Sequence, residues 1–272
     1  YYAPKEHLNF FQKMSYNCSL TLSNLMEEFE DKQAKKLIKA RAGGSYNIRE
    51  VLVRYDASIA YIDEQIGRIY QTLEDEGLLD ETVLFITSDH GESLLEHGIY
   101  FDHHGLYDVS IRVPLIVVGQ NIPVKKRINV FIQHTDIFPT ILDLVGYKGR
   151  CATYDGISLI KGVFQGNIPP RRYIIAVEGY AQRKVAIRTK EFKYIYSPST
   201  QTAKCRFCRK IHGGTEEFYN LIRDPLENEN LLEGDKNVIP EHLKNLAKKI
   251  YMKAFLQQPE KRLMNLKEMI KR

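Results

Sequence analysis

No apolar run in this 272-residue chain approaches the roughly 20 residues a helix needs to cross a bilayer, so the sequence offers no membrane segment. Cysteine is scarce. Cys18, Cys151, Cys205 and Cys208 are the only four, and their irregular spacing excludes reading them as a disulfide framework. A large excess of charge of one sign is also missing. The net charge of +5 gives no argument for a nucleic-acid partner, and Lys125-Lys126-Arg127 and Lys271-Arg272 read as solvated surface. There is no internal repeat, no low-complexity segment and no visible signal peptide. What is there is ordinary for a globular protein: 43% hydrophobic and 27% charged residues. The length suffices for one large domain or two smaller ones with a sizeable core.

The densest chemistry follows the apolar stretch Val83-Leu84-Phe85-Ile86, where the chain reads Thr87-Ser88-Asp89-His90-Gly91-Glu92. A buried strand ending on an adjacent Asp and His, with a Gly to turn the backbone, is suited to holding a metal ion. Open α/β sheets bind ligands just outside the carboxyl ends of their strands. An Asp supplies a hard oxygen and a neutral His a nitrogen. Taken alone, Asp89-His90-Gly91 reads more simply as a helix cap and a turn. His97-Gly98 and Asp102-His103-His104-Gly105 follow, so residues 88–110, read as a long loop, hold four of the eight histidines. Long loops in compact domains are usually functional or disordered.

The flanking elements are legible from periodicity and turn chemistry. Short amphipathic helices are expected over Lys5–Met14 and Leu20–Ala40, and one long helix over residues 47–77. In the latter, Val51, Ile59, Ile62, Ile66, Ile69 and Leu73 form one apolar stripe, expected to be buried. Strands are expected at Thr82–Thr87 and Arg112–Val118, a brief strand or loop at Asn129–His134, and a helix at Asp136–Val145 with Thr135 or Asp136 as its cap. Beyond a Gly- and Pro-containing crossing loop, Tyr173–Val177, Lys184–Arg188 and Phe192–Tyr196 read as strands, with a hairpin at Thr189-Lys190-Glu191 and a fourth strand at Glu217–Leu221. Helices are expected over Ile239–Gln257 and Pro259–Arg272. A small antiparallel sheet beside helices indicates an α+β subdomain.

Several of these segments stand in the order found in one family. Tyr55-Asp56-Ala57 with Ile62-Asp63 and Ile66-Gly67, then Leu78 through Glu92, then Glu96-His97-Gly98 with Leu106-Tyr107-Asp108 and Ser110-Ile111-Arg112-Val113-Pro114-Leu115-Ile116, then Asp136-Ile137-Phe138-Pro139-Thr140-Ile141-Leu142, and finally Phe218-Tyr219-Asn220-Leu221 with Asp224-Pro225 resemble, motif by motif, the sulfatase branch of the alkaline phosphatase superfamily. The resemblance implies an α/β fold: an alkaline phosphatase-like mixed sheet sandwiched by helices, its N-terminal half incomplete, with a small C-terminal α+β subdomain. It implies residues 1–170 as the C-terminal part of a catalytic domain and 171–272 as the subdomain. Tyr1-Tyr2-Ala3-Pro4 resembles an internal segment of the family, so the chain is read as the C-terminal portion of a longer protein.

The resemblance also implies a metal-dependent sulfuric ester hydrolase acting on a small-molecule or glycan sulfate ester. Asp89 and His90 would be metal ligands, for calcium first, with manganese, magnesium or zinc as alternatives. His103 falls where many sulfatases carry a Lys that touches the ester, and His104 is one step away. Either imidazole, with its ordinary pKa of ~6.5, suits a general acid. The family's nucleophile, a Cys or Ser in a C-x-P-S-R type motif, is absent, as is its N-terminal pair of acidic ligands. Little or no turnover is therefore expected of these 272 residues alone. A phosphodiesterase, phosphonate hydrolase or phosphoglycerol transferase of the same superfamily, or a catalytically inactive relative, shares the same features.

The remaining candidates have plainer readings. His97 supports the loop, Glu92 and Glu96 orient imidazoles or cap turns, and Arg112 serves packing or a buried ion pair. Asp136 is explained by capping. Cys205-x-x-Cys208 with His212 supplies three zinc ligands, Cys151 being available as a fourth; the simpler reading is a hairpin-loop pair. Asn17-Cys18-Ser19 fits the N-glycosylation triplet, a pattern common by chance.

Overall fold

A computed structural model describes residues 1–16, 20–45, 47–120, 122–147, 149, 154–160, 171–234 and 238–256. They form two compact units, one drawn from 1–104, 112–121 and 205–210, the other from 105–111, 122–204 and 211 onward. Cys18, Cys151, the Asn17-Cys18-Ser19 triplet and the helix expected over Pro259–Arg272 lie outside the described residues.

In the first unit the chain runs through α1 (Lys5–Gln12), α2 (Leu22–Glu27), α3 (Lys32–Arg41) and α4 (Ile48–Asp75) before strand β1 (Val83–Thr87); β2 (Leu115–Gly119) joins it later. The single helix expected over Leu20–Ala40 is two. The Asp31 carboxylate accepts from the amides of Gln33 and Ala34 at 2.8 and 2.9 Å, which starts α3 afresh, while Phe29 turns into the core. Periodicity alone could not see this break, because both helices present apolar residues to the same core. The long helix α4 is as expected. Asn47 caps it by accepting from Arg49 N at 3.0 Å. It ends where Gly77 takes φ +68° and Leu78 N returns to Leu73 O at 2.8 Å, a left-handed stop that suits glycine.

The buried part of α4 is its first half only. Ile48 and Val51 join Leu22, Leu25, Phe29 and Ile38 in the core. Ile59, Ile62 and Ile69 are exposed at 51%, 57% and 57%, contrary to the expected buried stripe. Periodicity marks which face is apolar, not what lies against it. Strands β1 and β2 pair antiparallel, Val83 opposite Gly119 and Thr87 opposite Leu115. Val83–Ile86 are half-buried rather than buried, and Ile116 of β2 is 52% exposed.

The second unit is built on an antiparallel meander, β3 (Ile174–Glu178), β4 (Lys184–Arg188), β5 (Phe192–Tyr196) and β6 (Glu216–Asn220), with neighbours in chain order. The β4–β5 hairpin turns at Thr189, whose hydroxyl accepts from Phe192 N at 2.9 Å. Short helices α5 (Asp108–Ile111), α6 (Ile137–Leu144) and α7 (Thr200–Ala203) and the longer α8 (Glu241–Phe255) complete it. Residues 129–133 form no strand. One face of the sheet, with Val185, Ile187, Tyr194 and Phe218, packs on Leu243, Ala247 and Ile250 of α8.

Alternation along the strands sends the polar side chains to the other face, which is also buried. Lys184 Nζ lies 2.7 Å from Glu217 Oε1, and Glu217 Oε2 accepts from the hydroxyls of Tyr107 and Tyr219 at 2.6 and 2.8 Å. Lys193 reaches both Asp108 and Glu227, and the Arg188 guanidinium donates to both Asp108 oxygens at 2.9–3.1 Å. Asp136 does not cap α6 through its side chain. Instead it is buried and receives Arg171 in two parallel bonds of 2.6 and 2.8 Å, plus the amides of Gln133 and Ile157 at 2.8 Å. The sequence could not reveal this partner, 35 positions away.

Two outcomes follow. Lys184→Met strands the Glu217 charge in the interior and costs about 3–5 kcal/mol in urea unfolding, and Glu217→Gln in the same chain restores most of it. Burial opposes ionisation of Asp108, but Arg188 and Lys193 outweigh it and hold the carboxyl below its usual range. Its contribution is present above the unfolded value of ~3.9 and is lost as pH falls, so Asp108→Asn flattens the acid limb of a Tm-versus-pH curve below about pH 4.

Candidate metal and acid site

The carboxyl end of β1 is fixed by Thr87, whose hydroxyl donates to Pro114 O at 2.7 Å, just before β2. The next residues hold one another. Ser88 Oγ donates to His90 O at 2.6 Å, and His90 N donates to Asp89 Oδ1 at 3.0 Å. His90 Nδ1 lies 2.7 Å from Gly91 O. A carbonyl only accepts, so Nδ1 carries the proton and Nε2 presents its lone pair. That nitrogen is 3.7 Å from Asp89 Oδ1, whose side chain is 87% exposed. The neighbouring carboxylate and imidazole thus face a common point at the strand end, with one hard oxygen and one borderline nitrogen as donors. Such a donor set fits part of a divalent-cation site.

His103 stacks on His90 with ring centroids 3.9 Å apart. Its Nδ1 lies 3.8 Å from Glu92 Oε2, and Glu92 Oε1 accepts from the Tyr1 hydroxyl at 2.6 Å. Burial first, then Glu92, pushes the Tyr1 hydroxyl above its usual pKa, so it stays a donor. Ligand atoms of His90, Glu92 and His103 lie within 4.8 Å of one another. Glu92, one of two acidic residues expected to orient imidazoles or cap turns, is turned toward His103, and Tyr1 joins it without any sequence signal. Glu96 does the capping, its carboxylate accepting from the amides of Leu94 and Leu95 at 2.8 and 2.9 Å.

The stretch 88–104 is no slack loop. Ser93 and Asp102 exchange backbone hydrogen bonds of 2.8 and 3.2 Å, closing a small ring. His97, with φ 56°, sits in a tight turn within that ring, and Tyr100 and Phe101 plug into the core. Asp102 is 5% exposed. Its Oδ2 receives Arg41 at 2.5 Å and His104 Nδ1 at 2.6 Å, while Oδ1 receives the His103 amide at 2.9 Å. Burial works against its charge, but His104, Arg41 and that amide prevail and hold the carboxyl below its usual range.

The two adjacent imidazoles have different surroundings. His103 is 49% exposed beside Glu92, and the His104 side chain is 6% exposed. His104 Nε2 lies 3.7 Å from Cys205 Sγ. Burial lowers its pKa, yet Asp102 and Cys205 raise it further, to about 9. Arg112 is exposed and precedes β2 by three residues, so the expected packing or buried ion pair is not where it sits.

Comparison with known proteins places the chain in a family. The family model described as Sulfatase matches residues 2–147, and that described as N-sulphoglucosamine sulphohydrolase, C-terminal, matches residues 95–254. A choline-sulfatase of Rhizobium meliloti is 32% identical over 198 residues, 71% of this chain and 35% of its own length. Arylsulfatase K of Gallus gallus is 36% identical over 157 residues, 54% of this chain and 29% of its own. The solved structure of BT4656 in complex with its substrate D-glucosamine-2-N,6-O-disulfate is 26% identical, with a TM-score of 0.58 over 96% of this chain and 48% of that one. The chain therefore spans about a third of these curated relatives and about half of that structure. With a family model covering more than half its length, and with alkaline phosphatase-like sulfatases as its structural neighbours, the chain belongs to the sulfatase family.

Proposed function

We propose that this chain is the C-terminal, metal-holding portion of a divalent-metal-dependent sulfate ester hydrolase that acts on a sulfated glycan. The observation that carries the reading is the convergence of the Asp89 carboxylate and the His90 Nε2 lone pair, 3.7 Å apart at the carboxyl end of β1. The glucosamine disulfate bound by one structural relative supports the glycan. Calcium suits an oxygen-rich site of this kind. When bound, the cation would neutralise the non-bridging oxygens of the ester.

The chain's own residues supply the rest of the reading. Nδ1 of His90 is held by Gly91 O, which keeps Nε2 as the ligand atom. His103 is the general acid: half-exposed and beside Glu92, it is placed to carry a proton for the leaving oxygen. His104 is buried against Asp102 and Cys205 and takes no part in that transfer. The nucleophile comes from the part of the protein outside these residues, since none of the four cysteines lies in the family's nucleophile motif. The exposed Ile59, Ile62 and Ile69 supply apolar surface against which that part packs.

In the full-length protein, Asp89→Ala or His90→Ala lowers kcat/KM on sulfated glucosamine by roughly 10²-fold or more, and the ion that restores a chelated enzyme identifies the metal. Wild-type rates in Asp89→Ala, or preference for a phosphate ester, would overturn the proposal. His103→Gln lowers kcat by about 10²–10⁴-fold, read in steady-state kinetics on the same substrate.

A further inference from the structure

A second group of metal-binding side chains stands apart from the Asp89–His90 pair and is not used by the proposed chemistry. His104, Cys205 and Cys208 bring their ligand atoms within 4.8 Å of one another. Both sulfurs are thiols. Cys205 is fully buried and His104 nearly so, and Cys208 packs against the core that holds Phe29, Ile38 and Tyr100. We propose that this group is a zinc site, and that it is distinct from the catalytic metal.

The geometry is that of a tetrahedral thiolate–imidazole centre. Zinc bonds of about 2.3 Å to sulfur and 2.0–2.1 Å to nitrogen, set at a tetrahedral angle, leave about 3.5–3.6 Å between an S and an N ligand. The Cys205 Sγ to His104 Nε2 separation is 3.7 Å. The two cysteines come from a tight knuckle. Cys205 N donates to Lys210 O at 2.8 Å, Arg209 N donates to Cys205 O at 2.9 Å, and Arg209 takes a left-handed φ of 63°. The two-residue spacing inside that turn points both thiols the same way. The knuckle is itself anchored, because Lys210 Nζ lies 4.0 Å from the Phe29 ring centroid and 3.3 Å from Glu28 Oε2.

His104 is oriented as a ligand. Its Nδ1 donates to Asp102 Oδ2 at 2.6 Å, so Nε2 is the nitrogen aimed at the sulfur. A carboxylate behind the far ring nitrogen is the arrangement that fixes tautomer and orientation in histidine-ligated metal sites. Two thiolates and an imidazole select zinc over calcium or magnesium. Binding releases the two thiol protons to solvent and leaves both sulfurs as thiolates. It would clamp the 205–210 knuckle to the end of the 88–104 stretch, directly beside His103.

Elemental analysis of the full-length protein after zinc loading and desalting tests the site, with folding checked by circular dichroism. The expected result is one zinc retained in wild type and in Asp89→Ala, and none in Cys208→Ser or His104→Ala. Cobalt in place of zinc should give the intense visible bands and the sulfur-to-metal charge transfer of a tetrahedral thiolate centre. Asp102→Asn should weaken zinc roughly 10–100-fold in chelator competition. Zinc retained undiminished in folded Cys208→Ser, no zinc above background in wild type, or a native Cys205–Cys208 disulfide by mass spectrometry would each overturn the proposal. Loss of the metal in Asp89→Ala would overturn the separation of the two sites.

Discussion

One buried carboxylate organises the first unit. Asp102 has almost no contact with solvent, and ionised carboxylates are tolerated there only when paired and hydrogen-bonded. Both oxygens are satisfied, by Arg41 from α3, by the His104 ring and by the His103 amide, and the backbone of the same residue closes the ring with Ser93. The direction of His103 and the tautomer of His104 both follow from that anion. Replacing it with a neutral isostere would leave Arg41 and His104 competing for a weaker acceptor. The two histidines are adjacent in sequence and chemically unlike because Asp102 captures one ring and only the backbone of the other.

The second unit solves a related problem differently. A meander with both faces buried cannot place apolar residues at every position when the sequence supplies Lys184, Lys193, Glu217 and Glu227. Those four residues are buried and meet as ion pairs, with tyrosine hydroxyls taking up remaining acceptor capacity at Glu217. Such a lattice is weak evidence for stability, because desolvation offsets much of the attraction. Its geometry does dictate which strands pair and how, since a one-residue slip would turn every charge toward α8. Gly213 belongs to the same lattice. A Cβ there would meet Glu217 Oε2 at 1.9 Å and the Tyr107 hydroxyl at 2.5 Å, and the residue has φ +66°.

Local signals in the sequence proved legible where the physics is local. Asn47 and Gly77 bracket α4, Thr189 marks the β4–β5 turn, and the apolar runs around Phe85 and Ile116 are strands. The run Asp89-His90 after β1 marked the candidate metal pair for the same reason: strand ends are where side chains meet solvent. What stayed hidden needs long-range contact. The break at Asp31 competes with an uninterrupted helical period. Asp136 reads as a cap until Arg171 arrives. From spacing alone, the Cys205–Cys208 pair goes with His212 and Cys151. Its partner is His104, 101 positions upstream, and no spacing rule connects them.

The exposed apolar surface of the first unit has a practical meaning for handling the chain alone. Ile59, Ile62 and Ile69 on α4, together with Ile116 and Val118 on β2, stand open to solvent, and among the described residues β1 and β2 form a two-stranded ribbon with no further strand on either edge. Oily patches and open strand edges are what drive copies of a protein to stick together. Recombinant material limited to these residues is thus inclined toward inclusion bodies and concentration-dependent clumping, more so in lyotropic salts that strengthen apolar association.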